Sequence, residues 1–313
     1  MRLVGLHCFR GSWARHRSVG VTLAALLACG YVGTALAQSA PVAADVPSHR
    51  LVLAAHFSGT SKPVDANVIW RVFRARARAD GSHALVATSQ SARPALKMPN
   101  GHYIVHLAYG LASAMRNVDF TNGDQTLTLS LKAGALKLHC TMGGSVIAPA
   151  NLAISVYAAT PTNPQARLVL DHAAPDRLIG LPEGSYHVVS TYLDTSGSGG
   201  QGQRGVPTNS VVSADLTVKS GKLTTATLPH QAATITLKLV NVAGGGGLAN
   251  TTFAILTPGG DVIREVIGAF PKLVLAAGTY DAIARNNGKT YESTIKVDAG
   301  IDRDVEILAQ KGK

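Results

Sequence analysis

The segment Trp70–Asp80, WRVFRARARAD, is the strongest candidate for a binding surface in this chain. Arg74, Arg76 and Arg78 alternate with alanine, so a strand continuing through them would line three guanidiniums on one face. Arg71 precedes them, and Arg204 lies in a separate Gly/Ser-rich segment. Guanidiniums match phosphate and carboxylate groups in geometry and charge, which points to an anionic envelope polymer or glycan. Arg74, however, has the same parity as Trp70 and Val72, which should face a core. The strand must therefore leave its sheet or bulge near Phe73. The plainer reading is an exposed strand edge kept soluble by charge.

Other reactive residue types do not converge. His102 and His106 lie four apart on an alternating strand, on one face but about 13 Å from each other, too far to share a metal. The sequence has no H-E-x-x-H, C-x-x-C, G-x-S-x-G or P-loop pattern. GGGG at Gly244–Gly247 reads as a flexible hairpin loop, because neither a lysine nor a helix follows it. DAGIDRD at Asp298–Asp304 lacks the spacing of a calcium loop and reads as a turn with solvated charges. No catalytic, metal-binding or cofactor-binding residue is expected, and no cofactor. A hydrolase whose site is assembled across loops is the remaining enzymatic alternative.

The elements that would position the arginines are strands, arranged in a repeat. A Gly-x-Tyr phrase occurs three times, as MPNGHYIVH from Met98, LPEGSYHVV from Leu181 and LAAGTYDAI from Leu275. An Ala-Asn pair precedes an alternating segment at Ala66, Ala150 and Ala249, and a glycine follows an apolar segment at Gly123, Gly221 and Gly300. From Gly101 to Gly123 and from Gly278 to Gly300 the spacing is 22 residues, and from Gly184 to Gly221 it is 37. The excess falls on TSGSGGQGQRGVPTNS, which can only be a loop. After Gly123 the apolar phase is displaced by one position, which implies a turn one residue shorter. Leu136, Leu138, Cys140 and Met142 alternate with polar residues, as do Ile235, Leu237 and Leu239, so the units should consist of half-buried antiparallel strands. The glycine of the Gly-x-Tyr phrase, Gly184 for example, is expected at a turn with positive φ. The tyrosine should pack its ring inside and send its hydroxyl to a nearby backbone group. A row of tyrosines forming a ligand platform is the functional alternative.

The N-terminus reads as an export signal. Arg2, Arg10, Arg15 and Arg17 precede the apolar run VGVTLAALLA, and Ala35 and Ala37 form an A-x-A site before Gln38. Lipidation at Cys29, within LLAC, is the alternative, as is a retained membrane anchor. The whole chain has 29 Lys and Arg against 18 Asp and Glu; loss of four arginines leaves a net charge of +7. Such a balance is compatible with an anionic envelope surface. Only Cys140 remains after cleavage, so no internal disulfide is available and its alternation phase puts it in a core.

The repeated LPxGxY phrase, with a later strand ending V-x-x-G before a final strand, resembles the prealbumin-like or carboxypeptidase-regulatory-like immunoglobulin-type domains of bacterial exported proteins. The resemblance spans Leu51 to Ala309. It implies an all-β fold of three tandem immunoglobulin-like β-sandwiches without shared catalytic residues, used as stalks, spacers or adhesive modules. The expected organisation is a signal peptide at 1–37, a linker at 38–50, and sandwiches at 51–134, 135–231 (with a Gly-rich loop at 195–210) and 232–313. The expected function is a non-catalytic periplasmic or extracellular spacer or protein-interaction scaffold. A binding module for an anionic envelope polymer or glycan, through Arg71, Arg74, Arg76, Arg78 and Arg204, is the alternative. Envelope proteins or such a polymer are the expected partners, nucleic acid is excluded by export, and membrane association would require lipid on Cys29. The connections at 132–135 and 229–233 are too short to let neighbouring units tumble, which implies a rod of limited flexibility.

Sequencing the N-terminus of the exported form should give Gln38 as the first residue. A start at a lipid-modified Cys29 would make the chain a lipoprotein instead.

Overall fold

The computed structural model describes residues 48–121, 123–195 and 205–309. These fall within one unit, Val46–Lys313. The signal, Cys29 and most of the Gly-rich loop, including Arg204, lie outside the described residues.

Three sandwiches follow one another. The first comprises β1 (Ser48–Phe57), β2 (Val68–Ala77), β3 (His83–Ser89), β4 (Ala95–Pro99), β5 (Gly101–Tyr109), β6 (Ala112–Phe120) and β7 (Gln125–Leu131). The second comprises β8 (Ala133–Met142), the two-residue β9 (Ser145–Val146), β10 (Leu152–Thr160), β11 (Asn163–Leu170), β12 (Ile179–Pro182), β13 (Gly184–Asp194), β14 (Val206–Val218) and β15 (Leu223–His230). The third comprises β16 (Ala232–Val240), β17 (Thr252–Leu256), β18 (Val262–Ile267), β19 (Lys272–Ala276), β20 (Gly278–Asn286), β21 (Lys289–Val297) and β22 (Arg303–Leu308). Each has a three-stranded sheet, ordered β4-β1-β7, β12-β8-β15 or β19-β16-β22. Each also has a four-stranded sheet, ordered β3-β2-β5-β6, β11-β10-β13-β14 or β18-β17-β20-β21.

Period-two alternation explains the cores. In β5, Tyr103, Val105 and Leu107 are buried while the residues between them are not. Leu136, Leu138 and Cys140 in β8 and Ile235, Leu237 and Leu239 in β16 face inward as their phase requires. The displaced phase in sandwich one also has its structural counterpart. The core-facing Leu129 lies six residues after Gly123, whereas Leu228 and Ile307 lie seven after Gly221 and Gly300.

Three expectations need correction. One pair in each sandwich is parallel: β1 with β7, β8 with β15 and β16 with β22. The last strand reaches its place from the opposite sheet and not by a hairpin, so it is not forced to reverse. Gly244–Gly247 is not a hairpin loop, because β16 and β17 belong to different sheets and the loop crosses between them. Gly184 has no left-handed conformation, and an added Cβ there would meet only the Tyr186 ring, at 3.9 Å, an ordinary contact.

The tyrosine behaves as its position suggests. The hydroxyls of Tyr103, Tyr186 and Tyr280 donate to the carbonyls of Pro99, Pro182 and Ala276, each four residues earlier, at 2.7, 2.7 and 2.8 Å. Each bond closes the corner between two strands that belong to opposite sheets. A buried hydroxyl needs such an acceptor, and the pair contributes about 1 kcal/mol.

Only Lys132 separates β7 from β8, and only Gln231 separates β15 from β16. Glu183 N–H donates to the Lys132 carbonyl, and Ala277 N–H to the Gln231 carbonyl, at 3.0 and 2.8 Å. At the first junction the β5–β6 turn rests on β12, where Leu111 N–H donates to the Gly180 carbonyl at 2.8 Å. Gly110 has φ +57, and an added Cβ would lie 2.6 Å from the Gly180 oxygen.

Gly110→Ala should therefore lower stability by more than Gly59→Ala, although both residues are left-handed. Gly59, at φ +72, has open space around its missing Cβ, so its substitution should cost only about 1–2 kcal/mol. Chemical denaturation of both variants reads the difference. Equal losses would mean that the first junction yields freely.

Candidate functional site

The arginine segment is built from one strand that ends irregularly. β2 pairs regularly with β5 from Val68 through Arg74. Its pairing with β3 shifts between Val72 and Phe73 and again between Phe73 and Ala77. At the first shift the extra residue, Val86, belongs to β3, and β2 carries its own excess only between Phe73 and Ala77. The expected bulge at Phe73 is therefore absent from β2: Arg74 keeps the phase of Trp70 and Val72, opposite Tyr103, at the exposed end of the inner face. Arg74 is exposed, with its guanidinium carbon 5.3 Å from the centre of the Tyr103 ring, a cation–π contact. Arg76 falls in the irregular stretch. Arg78 lies past the strand end, in a turn closed by its N–H to the Ser82 carbonyl at 2.8 Å.

Arg71 belongs to the opposite face of β2 from Arg74. It lies opposite His106 of β5, which in turn lies opposite Met115 of β6. Burial, with Arg71 beside it, holds the His106 imidazole below the usual histidine range, favouring its neutral form. Among the described residues, no carboxylate comes within salt-bridge distance of Arg71, Arg74, Arg76, Arg78 or Arg116. The structure does not unite these arginines into one row. It places Arg71 on the sheet's outer face, Arg74, Arg76 and Arg78 toward the β2–β3 turn, and Arg116 on β6 opposite Val105.

Charge is unevenly distributed among the sandwiches. Nine Lys and Arg accompany four Asp and Glu in Ser48–Leu131, six accompany five in Ala133–His230, and seven accompany eight in Ala232–Ala309. The acids of DAGIDRD are engaged within the third sandwich. Asp302 accepts from Thr234 N–H at 2.7 Å, Asp304 pairs with Lys238 at 2.7 Å, and Asp298 pairs with Lys296 at 3.0 Å. His102 lies 3.5 Å from Asp119, apart from His106. Among the described residues there is no group of three or more His, Cys, Asp and Glu side chains placed to hold a metal ion.

A buried polar chain in sandwich two was not singled out from the sequence. His230, fully buried at the end of β15, has Ser190 Oγ 2.9 Å from Nε2 and Ser210 Oγ 3.0 Å from Nδ1. Ser190 Oγ is 3.7 Å from Cys140 Sγ, and the Tyr192 ring meets the imidazole edge-on. Parity was the available signal: Cys140 is in phase with Leu138, Ser190 with Val188, and His230 with Leu228. Burial pushes the Cys140 thiol up and the imidazole down, so the chain is neutral and closed to solvent. It is a satisfied polar core, without an exposed nucleophile.

At the second junction Asn209 of β14 bridges two sandwiches. Its Nδ2 donates to the Tyr280 hydroxyl and its Oδ1 accepts from Ala276 N–H, both at 2.9 Å. Asp194, which is buried, has a carboxylate oxygen 3.6 Å from Arg264 of β18.

A family model described as a Rhizobiales growth-associated tandem repeat domain matches residues 234–309. That match covers the third sandwich. Among curated proteins, none matches the chain. Solved structures with similar architecture include the Bacillus anthracis TIE protein, at 16% identity and a TM-score of 0.25, covering 85% of this chain and 51% of that one. A streptococcal ancillary pilin has 12% identity and a TM-score of 0.29, covering 84% and 99%. A putative cell adhesion protein from Bacteroides ovatus has 11% identity and a TM-score of 0.30, covering 57% and 93%. The chain spans about half the length of the Bacillus anthracis protein. These TM-scores are low, and the likenesses bear on no residue of this chain.

His230 makes sandwich two sensitive to acid. The folded state binds its proton less readily than the unfolded chain, whose histidine titrates near pH 6.5. Stability is therefore full above that value and falls as pH drops below it, by at most about 1.4 kcal/mol per pH unit. Urea denaturation at pH 7 and pH 5 should show a larger loss for the parent than for His230→Gln. Parallel losses would mean that the imidazole accepts its proton inside the fold.

Proposed function

We infer that this chain is a non-catalytic scaffold of the bacterial cell envelope or surface, which holds what it touches at a set separation. The observation that carries the reading is the pair of junctions. Each sandwich is joined to the next through a single residue, and a backbone hydrogen bond ties that residue to the sandwich that follows. A linker of that length has no independent freedom. The parallel pairing of first and last strands sends the chain out of each sandwich at the end opposite its entry. Concatenation then extends the molecule without folding it back.

The export signal read from the sequence agrees with an envelope address, periplasmic or extracellular. The growth-associated description of the family matching the third sandwich agrees with work at an envelope that is being extended. The buried Ser–His–Ser chain argues against a hydrolase there, because a nucleophile sealed in a core meets no substrate. A second reading, binding of an anionic envelope polymer or glycan, is favoured by the unpaired arginines of sandwich one.

Small-angle scattering of the exported chain should give an extended profile, with a largest dimension of about 90–120 Å for three bodies of about 30–40 Å each. A radius of gyration near the ~19 Å of a single globule of this size would overturn the spacer reading.

A further inference from the structure

We propose that the outer face of the four-stranded sheet in sandwich one docks on an anionic lipid surface. The ladder places Leu85, Phe73 and Ile104 side by side on this face, with Arg71, His106 and Met115 in the adjoining row. Met115 is 69% exposed and Leu85 is 55% exposed, so the apolar groups face water. Phe73, Ile104 and Met115 line a depression of about 520 Å³ together with His83, Arg116 and Asn117.

The other sandwiches provide an internal control, since the same ladder positions exist in each. Where sandwich one has Ile104, Met115 and Arg71, sandwich two has His187, Ser213 and Ser155, and sandwich three has Asp281, Glu292 and Ala254. The fold therefore does not require apolar or cationic residues at these three places, whereas the Phe73 and Leu85 positions are apolar in every sandwich, as Tyr157 and Leu168 in the second and Leu256 and Val262 in the third. His187 is satisfied by Asp215 at 2.7 Å, and Asp281 by the Thr294 hydroxyl at 3.0 Å. At these three positions, among the described residues, sandwich one alone carries a large exposed apolar group together with a cation lacking a carboxylate partner; elsewhere on the equivalent faces sandwich two exposes Leu168 and Val211, and sandwich three exposes Ile267 in one row with Arg285.

That combination selects the occupant. A polyanionic glycan would match the arginines and leave Met115, Leu85 and Ile104 uncovered. A bilayer carrying anionic headgroups matches both, taking the apolar side chains between its headgroups and the guanidiniums against its phosphates. Arg76 and Arg78, past the regular pairing of β2 with β5, add cations beyond the sheet. Docking through this face would hold the first sandwich at the membrane and leave the other two to project from it. It does not depend on the spacer reading, which scattering tests separately.

The test is flotation of the exported chain with vesicles of phosphatidylcholine alone and of phosphatidylcholine mixed with phosphatidylglycerol. Binding should require phosphatidylglycerol and weaken with added salt. Arg71→Glu and Met115→Glu should each reduce it by about tenfold, as should Leu85→Glu. Ile267→Glu, an equally drastic change at an exposed site of sandwich three, should leave it unchanged. The comparison with the parent reads the face even if lipid on Cys29 adds a constant background. Equal binding by the parent and all variants would overturn the proposal, as would no binding. So would retention on immobilised heparin that Met115→Glu leaves intact while vesicles do not bind, which would make the face a polyanion site.

Discussion

A strand that lies parallel beside the first strand of its own domain leaves that domain at the far end. This constraint governs the rest of the molecule. It lets β7 continue into β8, and β15 into β16, after one residue each. It also puts the same structural features at each junction. The turn glycines Gly221 and Gly300 donate to the carbonyls of Ala133 and Ala232, the opening residues of β8 and β16, both at 2.8 Å. Val274 of β19 packs into the core of the preceding sandwich together with Ala232, so apolar burial continues across the second junction. With so little chain between domains, each sandwich is held by the next one's corner. At that second junction Asn209 reaches across to the Tyr280 corner, whose hydroxyl simultaneously closes its own strand turn.

The repeat was legible because each landmark answers a local physical demand. The tyrosine reports a corner at which a buried hydroxyl must find a carbonyl. Gly123, Gly221 and Gly300 take φ of +75, +68 and +72, and Asn67 and Asn250 take +58 and +54, the conformations that favour these residue types. Alternation showed which side chains face inward, down to Cys140. It could not show pairing direction, since a parallel and an antiparallel edge impose the same period.

The candidate surface was only partly legible, for a related reason. The arginine run can be seen in one dimension, and the parity conflict at Arg74 marked where β2 loses its regular pairing with β3. The outer-face neighbours of Arg71 come from β5 and β6, more than thirty residues away, and depend on register. His106 appeared in the sequence as half of a histidine pair. In the ladder its relevant neighbour is Arg71, which helps keep it neutral. The buried Ser–His–Ser chain was hidden differently: its members are in phase with core residues, and alternation alone treats a buried histidine as an interruption.

Three copies of one plan allow their surfaces to diverge while their corners stay fixed. Each tyrosine bond lies inside its sandwich, so a change on the outer sheet face leaves it intact. Sandwich one uses that freedom for arginines and exposed apolar groups, sandwich two for a histidine–aspartate pair, and sandwich three for carboxylates satisfied by hydroxyls and lysines. The internal polar groups follow the opposite rule. In sandwich two, Ser190, Ser210 and His230 are sealed and bonded to one another; in sandwich three, Asn286 donates to Thr251 and to the Ala249 carbonyl at 2.9 and 2.7 Å. A sealed network must be satisfied internally or it destabilises the fold, whereas an outer-face cation is satisfied by water until a partner replaces it. Exposed, unpaired charge beside apolar surface is therefore where a new contact can form without dismantling an existing one. That asymmetry makes the face of sandwich one better suited to recognition than the polar interior of sandwich two, despite the richer chemistry of the latter's side chains.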